Sequence, residues 1–283
     1  MQDFVQYLRY RLQELPVWLG IPVLGLFLAE KPIVWSRLII FFFAISFSML
    51  HVLLVNDWGD LQKNPYEKVN LPSKANQLHL IHCIGKTSIY SYIICIILFS
   101  LLGPISIFLA LIGGMLSVLY SHPSIHFKEN LLGSTGIHFI GGEIQFLLGY
   151  TTLGAPIKEG ILVGAFFSFI FVAGHFVHMC LDVNEDKKGN IQTWATRFNN
   201  FSILLIASIV FLSAHIYLLM LTIYAIVPLS MFYIFILPLI VHIIFYKDLL
   251  RRNMTQRNIY RYRKNYRLVY ALCTGAYILS TFY

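Results

Sequence analysis

Residues 35–60 read WSRLIIFFFAISFSMLHVLLVNDWGD. From Leu38 to Val55 no side chain is Asp, Glu, Lys or Arg, a run long enough for a helix to cross the roughly 30 Å hydrocarbon core of a bilayer. The run then stops abruptly at Asn56-Asp57-Trp58-Gly59-Asp60, with Asn64 and Glu67 beyond. A second apolar run, near 159–181, ends the same way in Asp182-Val183-Asn184-Glu185-Asp186. Six of the chain's 13 acidic residues lie in these two clusters. Acidic side chains at the ends of membrane spans are costly unless a cation or partner offsets them. Two clusters on one side of a membrane, each beside lysines, point to a site where a divalent metal holds a phosphate.

The rest of the chain has the same membrane character. It is 58% hydrophobic and only 12% charged, against about 25% charged residues in a soluble domain, so the expected fold class is an all-α polytopic membrane protein. Apolar runs divided by polar or Pro/Gly breaks predict nine transmembrane helices, near 17–30, 35–55, 78–101, 104–120, 132–150, 159–181, 201–222, 226–246 and 266–282. Residues 1–16 alternate charge with bulky apolar groups and read as an amphipathic lead-in at the interface. No polar loop is long enough for a soluble domain, so one domain is expected over 1–283. The clusters after the second and sixth spans occupy equivalent places, which suggests two four-helix copies with the ninth helix left over.

The formal charge of +8 has a direction. With the N-terminus inside, the inner segments hold 17 of the 21 cations, eight of them between Lys247 and Arg267. The positive-inside rule therefore sets a cytoplasmic N-terminus and cytoplasmic acidic clusters. The charge reports topology and contact with membrane lipid headgroups, and no nucleic acid is expected as a partner. A prokaryotic plasma membrane is the expected location. Cys83, Cys95, Cys180 and Cys273 stand singly in mostly apolar surroundings, and read as small buried hydrophobes rather than a metal set or disulfides.

Asn56, Asp60 and Asn64 are spaced i, i+4, i+8, and Asp182 and Asp186 are i, i+4. A helix continuing past each apolar run would align each set on one face, with Pro65 fitting a helix end after Asn64. Magnesium takes hard oxygen ligands, typically one or two carboxylates completed by water and substrate phosphate. Two facing stripes of such oxygens suit a diphosphate between them. A solvated helix end accounts for either cluster alone; the pair on one face is better accounted for by metal.

Asn56-Asp57-x-x-Asp60-x-x-x-Asn64 resembles the NDxxDxxxD motif of the UbiA-type intramembrane prenyltransferases. Asp182-x-x-x-Asp186, with Gly189, Thr193, Ala195 and Arg197 following, resembles their second aspartate motif. Between the two, Tyr120-Ser121-His122-Pro123-Ser124-Ile125-His126-Phe127-Lys128 is similar to the family's YSxPPxRLK stretch, and Pro72-Ser73 to the pair closing its first loop. The motifs fall in order across essentially the whole chain. The resemblance implies a nine-helix bundle around a central cavity that binds a polyprenyl diphosphate through Mg2+ and passes the prenyl group to a lipophilic, commonly aromatic acceptor. It gives the metal to Asn56, Asp60, Asn64, Asp182 and Asp186 with Asp57 in support, and the diphosphate to Tyr120, Lys128 and Lys68. Aromatic faces would stabilise the carbocation. The departures are Asn64 for the third aspartate, Ser124 for a proline, His126 for an arginine, and Asn70 and Lys74 around Pro72-Ser73. They bear on the substrate subclass more than on the fold.

Glu143 is the one acid expected deep within a span, with Gln145 nearby. An intramembrane carboxyl is a functional candidate by default: it would hold the acceptor's hydroxyl or remove its proton, unless it is a protonated hydrogen-bonder between helices. His51, His175 and His178 line the helices that end in the clusters; His175 and His178, spaced i, i+3 and lacking a third ligand, read as polar cavity or interhelix groups. The leading functional reading is a prenyltransferase acting on a quinone precursor or similar acceptor. The alternative is a terpene cyclase on the same scaffold, needing no acceptor. A transporter with acidic groups in its pathway comes third.

Overall fold

The computed structural model describes residues 2–63, 74–188 and 192–280. Among these the chain is all helical, with eleven α-helices: α1 (Gln2–Trp18), α2 (Gly20–Leu28), α3 (Trp35–Lys63), α4 (Lys74–Ser100), α5 (Pro104–Ser121), α6 (Leu131–Tyr150), α7 (Ile157–Lys188), α8 (Trp194–Arg197), α9 (Asn200–Ile223), α10 (Leu229–Arg251) and α11 (Gln256–Ser280). Six of the described helices, α3, α4, α5, α7, α9 and α10, are long and apolar enough to cross a membrane. Their outward faces carry Phe43, Ile89, Phe108, Ile209, Ile216 and Ile244, all exposed, as expected of surfaces that meet lipid tails rather than water.

The expected spans 17–30 and 266–282 differ most from the structure. The first is split, with α1 running to Trp18 and α2 only nine residues long. The last begins at Gln256, because Ile259, Tyr262, Tyr266, Cys273 and Tyr277 form one buried stripe at helical spacing. The cations of 257–267 fall between those positions, so charge that looked like a loop in one dimension is one side of a helix. Cys95, Cys180 and Cys273 are buried, as the sequence suggests, whereas Cys83 is half-buried, and all four are free thiols.

Two compact units make up the chain. One contains the described residues up to Ile137 together with Ile144–Ala155. Here α1 lays Phe4, Leu8 and Leu15 against buried Leu50, Leu54, Leu80 and Ile84 of α3 and α4. The spacing of those α1 residues is one helical face. This packing buries apolar surface, worth roughly 25 cal/mol per Å2 wherever that surface would otherwise meet water. Helices within lipid gain little that way and are held by packing and interhelix hydrogen bonds. His51 of α3 supplies such a node: its Nδ1 lies 2.9 Å from Ser88 Oγ of α4 and its Nε2 3.0 Å from Ser117 Oγ of α5. Both ring nitrogens are thus engaged between helices. At the other end of α3, Arg37 donates from Nε to Thr152 O at 2.8 Å and from Nη2 to Leu102 O, satisfying carbonyls that helix ends leave open.

The second unit contains His138–Glu143 and Pro156–Tyr283. Its core is formed by Val177 and Cys180 of α7, Ile203, Ala207 and Phe211 of α9, and Ile259, Tyr262 and Tyr266 of α11. His215 of α9 reaches Phe235 O of α10 through Nε2 at 3.0 Å, in the turn that Pro238 interrupts.

Candidate functional site

Helix α3 runs on past the apolar stretch to Lys63, so Asn56 and Asp60 stand one turn apart on one face. Lys128 Nζ donates to Asp60 Oδ1 at 2.8 Å, with only 17% and 16% of the two side chains exposed. Partial burial of this kind makes the pair stronger than an exposed ion pair, whose worth is about 0–1 kcal/mol. The lysine is delivered by a single 3-10 turn, Phe127–Glu129. Before it, His126 adopts the left-handed conformation at φ 45° and is 5% exposed, with Nδ1 3.1 Å from Glu129 Oε1. That reversal lets five residues after α5 bend back beside α3. Trp58 braces the bend, its ring 5.6 Å from that of His122.

Gly59 makes the approach feasible. A Cβ at this position would fall 2.0 Å from Ser121 O, so the backbones of α3 and α5 touch where the first motif meets the lysine-bearing turn. Tyr120 lies in the last turn of α5, half-buried.

Asp57 is held by the amphipathic helix. Arg11 binds it in bidentate fashion, Nε to Oδ2 and Nη2 to Oδ1, each at 2.6 Å, and Tyr7 also donates its hydroxyl to Oδ2. The carboxylate is 1% exposed. Burial first, and the Asp57 charge second, push the Tyr7 hydroxyl well above its usual range, so it stays a donor. Tyr7 and Arg11 are one turn apart on α1, the i, i+4 spacing that puts both on one face. That spacing is a signal the sequence carries, although the positive-inside rule accounts for Arg11 without it.

Helix α7 likewise continues to Lys188, which sets Asp182 and Asp186 one turn apart. Asp182 is half open to its surroundings, with His178 Nδ1 3.2 Å from its Oδ2. Asp186 is 6% exposed and accepts from Thr193 Oγ1 at 3.1 Å. Thr193 is fixed in turn by Thr196, whose Oγ1 accepts from its backbone N–H at 2.8 Å. His175 stacks on His138 with ring centroids 3.5 Å apart, so it too is an interhelix group. Glu143 accepts from Ser168 Oγ of α7 at 2.9 Å. Asn64 and Lys68, along with Pro72, Ser73 and Gly189, lie outside the described residues. Among the described residues, no three His, Cys, Asp or Glu side chains form a ready metal cage.

The first set thus combines an amide oxygen, a carboxylate and a lysine, and the second two carboxylates of unequal exposure. Hard oxygens flanked by fixed cations are the chemistry of phosphate and divalent metal. A model of the UbiA prenyltransferase family matches residues 17–269. The chain belongs to that family. Solved structures share its fold at low identity. A UbiA homologue from Archaeoglobus fulgidus bound to GPP and Mg2+ is similar at TM-score 0.76 and 15% identity, over 99% of both chains. An apo UbiA homologue from Aeropyrum pernix K1 is similar at 0.75 and 13%, over 96% of this chain and 99% of that one. A digeranylgeranylglyceryl phosphate synthase structure is similar at 0.73 and 17%, over 99% of both. No curated protein matches the sequence.

Proposed function

We propose that the chain is a Mg2+-dependent intramembrane prenyltransferase, moving a prenyl group from a polyprenyl diphosphate to a lipophilic aromatic or quinone-precursor acceptor. It acts as one domain of nine transmembrane helices around a central cavity, with its N-terminus and both aspartate motifs on the cytoplasmic side of a prokaryotic plasma membrane. The observation that carries this reading is the Lys128–Asp60 pair, built into the first motif of a UbiA-family chain.

The residues fit magnesium. Asp60 already meets a cation at 2.8 Å, Asp182 is half open, and Asn56 adds a neutral oxygen on the Asp60 face. One or two carboxylates with water and phosphate oxygens make up the usual octahedral set. Asn56, Asp60, Asp182 and Asp186 hold the metal in this proposal, with Asn64 as an amide in the first motif. Bound magnesium would offset charge on the departing diphosphate as a Lewis acid.

The other groups act on the substrate directly. Lys128 is a point charge for a phosphate oxygen, Lys68 a second one, and Tyr120 a hydroxyl donor. Asp57 serves the site by holding α1 against α3, not by offering a free oxygen, because Arg11 and Tyr7 engage both of its oxygens. Thr193 aims Asp186 by donating to it. The test is to incubate membranes carrying the protein with prenyl diphosphates of several lengths and a panel of quinone precursors. A prenylated acceptor is expected. A cyclic hydrocarbon or alcohol formed without acceptor would instead identify a cyclase, and no consumption of any diphosphate would remove both readings.

A further inference from the structure

Glu143 is unlike every other acid among the described residues. The other described acids stand in loops or toward helix ends, whereas Glu143 lies well inside α6. One of its oxygens is placed with care. Ser168 Oγ, on a residue with no exposed surface, donates to Oε2 at 2.9 Å. Helix α6 comes close to α7 at this level, since a Cβ on Gly142 would lie 3.2 Å from Ser168 Cα. The other oxygen, Oε1, is shielded from solvent and has no hydrogen-bond partner among the described residues. The neighbouring Tyr217 phenol does not fill the gap, for it donates to Leu162 O at 2.8 Å.

A buried polar atom without a partner costs about 1–3 kcal/mol, and native structures seldom carry one without a use. If Glu143 only tied α6 to α7, the Ser168 bond would suffice and a glutamine or serine would serve. Ser168 itself suits a carboxyl that changes protonation state. Its oxygen is 3.1 Å from Gly164 O as well as 2.9 Å from Oε2. Its single hydrogen can stay on Oε2 when Oε1 takes up a proton, or turn to Gly164 O. The Glu143–Ser168 contact is kept in both states with no backbone movement.

We infer that Glu143 is the general base of the reaction, with Oε1 receiving the proton released when the prenyl cation is captured. This rests on the prenyltransferase reading above. In the step, the allylic C–O bond breaks and its electron pair leaves with the diphosphate. An electron pair of the acceptor forms the new bond to the allylic carbon. The surplus proton on the acceptor carbon or oxygen moves to Oε1, and passes to solvent between turnovers. Without an acceptor, the same oxygen takes the proton that ends cyclisation.

The experiment uses the full chain in lipid nanodiscs and measures diphosphate release and prenylated product separately, for wild type, Glu143→Gln, Glu143→Asp and Ser168→Ala. General bases contribute about 10²–10⁴-fold, so Glu143→Gln should lower product formation by at least about 10²-fold. Its KM for prenyl diphosphate should stay near the wild-type value. Diphosphate release should persist in that variant, with the prenyl chain recovered as the water-captured alcohol. Glu143→Asp, which keeps a base but withdraws it by one methylene, should restore coupled product in part, and Ser168→Ala should lie between. Wild-type transfer by Glu143→Gln would overturn the inference, as would release and transfer falling together with a raised KM. Should the glutamine variant not fold, Glu143→Asp decides: a reduced kcat at constant KM supports the base, and an unchanged kcat overturns it. A wild-type chain that releases no diphosphate removes the prenyltransferase reading, and this inference with it.

Discussion

Arg11 and Asp57, 46 residues apart, are joined by two parallel hydrogen bonds of 2.6 Å each. The pair fastens the amphipathic first helix to the residue next to Asn56, so the Asn56–Asp60 stretch of α3 is positioned by a segment outside the apolar spans. Planar fork-to-carboxylate pairing of this kind gives direction as well as energy. A lysine at position 11 would supply the charge without the geometry.

Breaking this pair should be costly. Arg11→Ala leaves Asp57 charged at 1% exposure, and removing one partner of a buried pair typically costs about 3–5 kcal/mol. Thermal denaturation in detergent should show a clear loss for Arg11→Ala and a smaller one for Arg11→Lys. Equal melting of Arg11→Ala and wild type would dismiss the clamp.

Tyr7 gives the same clamp a pH signature. Folding raises its pKa above the unfolded value of 10.0, so its contribution is fully present below about pH 10 and is lost as pH rises beyond it. Tyr7→Phe should be less stable than wild type at neutral pH, and the gap should narrow above pH 10. A gap that widens with alkalinity would reverse the sign argued here.

Gly59→Ala should damage the site without touching a ligand. The added methyl would sit 2.0 Å from Ser121 O, and relief means moving α3 away from α5, since backbone cannot swing aside as a side chain can. Overpacking of this sort costs about 1–3 kcal/mol or more. Displacement should also part Asp60 from Lys128, so turnover should fall more than the melting temperature suggests. Activity that tracks stability alone would count against the link.

Asp60→Asn and Asp182→Asn should both abolish turnover but differ in stability. From sequence, neutralising either acid would be expected to relieve like-charge repulsion. The structure separates them: Asp60 is the mostly buried partner of Lys128, whereas Asp182 is half exposed beside a histidine. Asp60→Asn should therefore melt lower than Asp182→Asn, by the loss of a partly buried ion pair. Reversed order in a melting assay would show that Lys128 does not depend on Asp60.

The parts of this chain legible in sequence are those governed by local spacing. An uncharged run and its two acidic ends foretold α3 and α7, and i, i+4 spacing foretold that both helices continue into the motifs. Lys128 and Asp60 were each named, but their pairing depends on a left-handed turn at His126, and a histidine gives no advance sign of that conformation. Arg11 was hidden because the positive-inside rule already accounted for it. The length of α11 was hidden because its cations and its buried tyrosines alternate around a helix, and a one-dimensional hydropathy run averages the two sides. Glu143 stood out by its depth, but only the coordinates reveal that one of its oxygens is used and the other is not.

The most direct measurement is binding of a prenyl diphosphate to the purified chain, with and without Mg2+, for wild type, Asp60→Asn and Asp182→Asn. Tight binding should require Mg2+, vanish on chelation, and weaken markedly in each variant, because the proposed function gives the metal and diphosphate to residues of both motifs. Binding that ignores chelation, or survives intact in either variant, would contradict the account.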